Sequence, residues 1–162
     1  MALQFYLALT RIPIPAQGCC NIHHVFAFLC VTLPRMIGPH EGKELELMLK
    51  GEKKLAAFGD SIPDEGEIAE EIIPENAFSP YVESGQIKRF ERIFRSAKHG
   101  HLIKNVCFTL PSEEWRAQTY LWLRESVHTD QMPYDNSIDV TIGRLLGYSE
   151  DDINEFGATP ER

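Results

Sequence analysis

The residues of this 162-residue chain best suited to acid–base work meet at His99-Gly100-His101. Two histidines one residue apart can share a metal ion, or one can act as acid or base near neutral pH. No carboxylate is nearby in sequence, so a hydrolase or transferase site would need Asp60 or Glu83 delivered by the fold. An exposed polar turn is the plainer reading, and the one we adopt.

Cys19-Cys20-Asn21-Ile22-His23-His24 holds four soft-metal ligands, but neighbouring side chains of an extended segment point to opposite sides. We expect no metal and no cofactor there. Cys19, Cys20, Cys30 and Cys107 match neither a disulfide framework nor a paired-cysteine zinc knuckle, which suggests reduced thiols in an intracellular protein. The phosphate-binding GxxxxGK[ST], the dinucleotide GxGxxG, the GxSxG elbow and HExxH are all missing.

Charge supplies the remaining candidates. Asp60, Asp64, Glu65, Glu67, Glu70, Glu71 and Glu75 form an acidic stretch without a basic residue. Lys88, Arg89, Arg92, Arg95, Lys98 and Lys104 form a basic one, with Glu91 as its single acid and Phe90 and Phe94 interleaved. That mixture suits single-stranded nucleic acid, through phosphate attraction and base stacking. Pairing of the two stretches within the fold would absorb both features, and is the expectation we prefer. Trp115-Arg116 opens a helix and could hold an anion or anchor an interface, though a tryptophan there is expected in the core.

Composition narrows the classes. The chain is 43% apolar and 25% charged, values of a globular protein. A net charge of −8 opposes generic nucleic-acid binding. No acid precedes Glu41, and the first 35 residues carry only Arg11 and Arg35 as firm charges. Residues 1–35 are therefore expected to be an N-terminal arm or extension, with 36–162 a single domain. Their longest apolar run, Val25 to Leu33, is about half of the roughly twenty residues a bilayer requires. With no basic region ahead of Met1 to Leu9, a secretory signal fits poorly, and the expected location is cytoplasmic.

The elements that must position these groups follow from periodicity. Leu45, Met48 and Leu49 predict a short helix over 43–50, ended by Gly51, before a strand at 55–58 closed by Gly59-Asp60. Pro63 to Gly66 predicts a turn. Residues 67–73 fit either a helix or a strand, and 76–85 a loop with a brief strand at Tyr81-Val82. A hairpin is predicted from 86–95 and 101–110, though Ile87, Phe90 and Phe94 also suit a helix. Ser112 is the predicted cap of a helix to about Val127, and Asn136 or Ser137 of another with Ile138, Ile142, Leu145 and Leu146 inward. Ser149 opens a last helix, with Tyr148 placed to staple onto Ile153.

Together these predict an α+β domain: a small antiparallel sheet, helices on one face, and a helical C-terminal third. The leading functional expectation is a non-enzymatic interaction or inhibitor-type module for a basic protein. Its candidate contacts are Asp64, Glu67, Glu70 and Glu71, then Arg89 and Arg92 of the hairpin, then Trp115 with Arg116. The alternatives are the histidine-centred enzyme and nucleic-acid binding by the hairpin.

Overall fold

The computed structural model describes residue 40 and residues 42–157, which belong to one compact unit. Expectations for 1–35, including Cys19, Cys20, Cys30 and the His23-His24 pair, lie outside the described residues.

The elements run α1 (Glu44–Leu49), β1 (Leu55–Ser61), α2 (Glu75–Glu83), β2 (Lys88–Arg95), β3 (Leu102–Thr109), α3 (Glu114–His128), α4 (Asn136–Leu146) and α5 (Glu150–Gly157). The three strands form one antiparallel sheet in the order β1-β3-β2, so the fold is α+β. The hairpin forms as predicted, Arg95 facing Leu102 and Lys88 facing Thr109. Its first arm is a strand from Lys88 to Arg95, not the helix that Ile87, Phe90 and Phe94 also suited, because it pairs along its length with β3.

The central strand explains the layering. Val106 and Phe108 point one way, onto Met48 of α1 and Phe78 of α2, with Ile73 and Ile87 completing that cluster. Cys107 points the other way, onto Ala117, Tyr120 and Leu121 of α3 and Leu145 of α4. Every residue from Asn105 to Thr109 is buried, the mark of a strand covered on both faces. The C-terminal helices give the expected layer on one face; α1 and α2 cover part of the other.

Several local expectations change. Residues 76–85 are not loop and strand: α2 carries Pro80 inside it. Proline deletes one helical hydrogen bond, but Phe78 is fully buried and stacks on Phe108 with ring centroids 4.0 Å apart. Tertiary packing overrides the local signal. Residues 67–73 are neither helix nor strand, and β1 continues through Gly59 and Asp60 to Ser61. Ser112 does not cap α3; it takes φ 75° in the preceding turn, and Glu113 stands at the N-cap with its side chain turned to Arg116 and not to the helix backbone. The cap of α4 is Asp135, whose carboxylate accepts from Ser137 N. Ser149 does cap α5: its Oγ accepts from Asp152 N at 3.1 Å while Asp152 accepts from Ser149 N at 3.2 Å. Among the described residues no helix is long and apolar enough to cross a membrane.

Candidate docking groove

Cross-strand register sorts the charged side chains by face. Asp60, Lys104 and Ile93 lie in one row, as do Phe58, Val106 and Glu91, and Ala56, Phe108 and Arg89. The helices α1 and α2 cover the apolar end of this face. Toward the hairpin tip, the cover passes to the loop from Ile62 to Pro74. Between that loop and the sheet lies a groove of about 510 Å³. Ile62, Ile68, Ile73 and Ile93 supply its apolar lining, and Glu67, Glu70, Glu75 and Lys104 its charges.

The acidic loop is held at one end. Glu70 Oε1 accepts from Asn76 N at 2.6 Å, in the first turn of α2, where an anion meets the positive end of the helix. Glu75 accepts from Arg89 Nε at 2.9 Å and from Lys104 Nζ at 2.7 Å. Burial works to raise the Glu75 pKa, but the bonds and charges of Lys104 and Arg89 outweigh it and leave the group below its ordinary value. Glu91 adds to the same cluster through Arg89 at 2.5 Å and Lys104 at 3.4 Å.

The expected neutralisation of acidic by basic stretch is thus confined to Glu75. Asp64, Glu65, Glu67 and Glu71 are exposed and have no ion pair or hydrogen bond among the described residues. Most of the basic side is committed, with Lys88 and Lys98 left exposed. Arg92 bonds Glu125 of α3 at 2.6 Å, and Arg95 donates to the Gly100 carbonyl. Phe90 packs on the α3 cluster and Phe94 is buried, so neither ring is free to stack on a base.

The other candidates separate. His99 and His101 stack with ring centroids 5.6 Å apart and planes 8° from parallel. Asp60 pairs with Lys104 in the ladder, whereas His99 and His101 lie in the connection between β2 and β3, outside both strands. Glu83 ends α2, which leads into the far end of β2, roughly 23 Å along the strand from the tip. It accepts instead from Ser79 Oγ. What does approach the pair is His128 of α3, stacked on Phe94 at 5.7 Å; burial, then Arg124, His101 and His99, lower its pKa. Among the described residues no three His, Cys, Asp or Glu side chains are grouped to hold a metal ion.

Trp115 is not in the core: it is 52% exposed, and Trp122 on the same helix face is 51% exposed. Arg116 packs over the Trp115 ring at 4.7 Å and pairs with Glu113 at 2.7 Å. It also donates to the Leu145 and Arg144 carbonyls at the end of α4, at 3.2 and 3.3 Å. Its charge is used within the fold.

Sequence reasoning found the acids of the groove and missed its isoleucines. Ile62, Ile68 and Ile73 sit six and five residues apart in an irregular loop with no periodicity to flag them, and only the register of β2 puts Ile93 beside it. Comparison of the chain with protein-family models, curated proteins and solved structures finds no match in any of the three.

Proposed function

We propose that this chain is a non-enzymatic binding module that captures a basic protein on the acidic loop, acting in the cytoplasm as a regulator or inhibitor of that partner. The observation that carries the reading is the uncommitted charge of Asp64, Glu65, Glu67 and Glu71 beside an apolar groove. Carboxylates already paired inside a fold have little attraction to offer; exposed ones on one loop steer a cationic partner and fix its orientation. The net charge of −8 adds a long-range field of the same sign. Cys107 is a free, buried thiol whose pKa burial pushes up to about 12, which supports reading it as a packed side chain and not a reactive one.

The two alternatives draw less support. The histidine pair lacks a carboxylate partner among the candidates named for it, and the hairpin has its phenylalanines turned into the core. The test is Asp64→Lys with Glu67→Lys and Glu71→Lys, leaving Glu70 to cap α2. Binding of a lysine-rich polypeptide, measured by calorimetry at low and physiological salt, is expected to be lost. Retention of full affinity by the triple variant would sink the proposal.

A further inference from the structure

We propose that the groove between the 62–74 loop and the sheet takes an extended peptide in which a lysine or arginine alternates with branched aliphatic residues. This rests on the binding-module reading and adds to it the class of ligand. Ile62, Ile68 and Ile73 of the loop and Ile93 of β2 line one trough, with Ile73 anchored in the core. Ile93, in its lining, is 48% exposed although the strand on either side of it is held in the ladder. Charge alone explains none of that. A purely electrostatic surface gains nothing from an exposed isoleucine such as Ile93, which costs solubility while it is uncovered.

Charge selects the occupant. Lys104 is held by Glu75 and Glu91, and Arg89 by the same two carboxylates, so the basic side chains at the groove are already matched. Glu67 is unmatched among the described residues, and among them Glu70 has committed one oxygen to Asn76 N and keeps the other. An aliphatic side chain set against Ile68 and Ile93 leaves its cationic neighbour at the acidic rim. In an extended peptide successive side chains diverge, which places the two chemistries on the two surfaces they match. An acidic or wholly apolar peptide would leave Glu67 repelled or desolvated without a partner.

The experiment uses the full chain and two synthetic peptides of equal length and charge, one alternating lysine with isoleucine, the other lysine with serine. Fluorescence anisotropy should give the isoleucine peptide an affinity at least about tenfold higher, the scale of burying one aliphatic side chain. Ile93→Ser, at a half-exposed site whose folding a thermal melt will verify, should erase that preference while leaving the serine peptide unaffected. Glu67→Gln should weaken both peptides together. Equal binding of the two peptides by the wild-type chain would overturn the groove inference and leave the charge-based module standing. No binding of either would overturn both.

Discussion

Lys53 Nζ donates to the Leu146 carbonyl oxygen, 93 residues further along the chain, across 3.1 Å. Leu146 ends α4, so the bond sets an ammonium against the negative end of a helix and satisfies one of its orphan carbonyls. Arg116 takes the adjacent Leu145 carbonyl, 29 residues further along the chain. The same ammonium lies 3.0 Å from His40 Nδ1 and 4.9 Å from the Tyr148 ring centroid. Lys53 is nevertheless only 2% exposed, and burial brings its pKa down from 10.5 to about 8, with Glu44 pulling weakly the other way.

That depression makes stability depend on pH with a definite sign. Between about 8 and 10.5 the unfolded chain keeps the Lys53 proton and the folded chain has released it, so stability contributed by this group grows as pH rises through that window. The full gain is up to about 3 kcal/mol. Urea midpoints of wild type and Lys53→Met across this range should differ by a pH-dependent amount. A constant difference would mean that the ammonium is not desolvated.

Glu75 works at the acid end. Its folded pKa is depressed, so its contribution is present above the unfolded value and disappears as pH falls through the folded one. Glu75→Gln should cost about 1 kcal/mol at neutral pH, since the pairs are partly solvated, and should flatten the acid limb of the stability profile. An unaltered acid limb would remove Glu75 from its central position between Arg89 and Lys104.

Gly59 sits directly across from Asn105 in the β1–β3 ladder, and a Cβ there would lie 2.5 Å from Asn105 Oδ1 and 3.0 Å from the Lys104 carbonyl. Gly59→Ala is expected to destabilise by about 1–3 kcal/mol through overpacking. Adding Asn105→Ala should return part of that loss, because it removes the nearer clash and also a buried amide nitrogen with no partner among the described residues. Additive effects in the double-mutant cycle would disprove the contact.

Aromatic truncations should separate core from surface. Phe78→Ala, at the stack with Phe108, is expected to cost about 3–5 kcal/mol, and Trp115→Ala under about 1 kcal/mol. Iodide should quench both tryptophans in the folded protein. Protection of either one would place it at an interface.

The legible parts of the fold were those whose signals are local. The alternation of Leu102, Val106 and Phe108, the stripe of Ile138 and Leu145 ended by Gly147 at φ 79°, and the serine box before α5 all sit within a few residues of what they determine. Helix α2 was hidden because Pro80 and Ser84-Gly85 are breakers locally, while the force holding the helix, Phe78 on Phe108, joins segments thirty positions apart. Trp115 misled for a related reason: a large aromatic is usually inward, but α3 already has Ala117, Tyr120 and Leu121 on its buried side. For the site, the acids could be read and their freedom could not. Register sets Arg89 and Lys104 on one face of the sheet, but which carboxylate of the acidic stretch meets them is decided by the docking of α2, which brings Glu75 to both.

The strand order β1-β3-β2 has a kinetic consequence. The hairpin closes a short loop, whereas β1 must wait for a strand that begins dozens of residues later, and ordering such a long loop is the slower search. The loop in question is the one that bears the acidic segment and α2. Trapping β1 and completing the groove are therefore one event, so a folding intermediate with only the hairpin formed would carry the acids and have nowhere to seat a ligand. A basic peptide added during refolding should bind with the rate of β1 docking, and at no earlier stage.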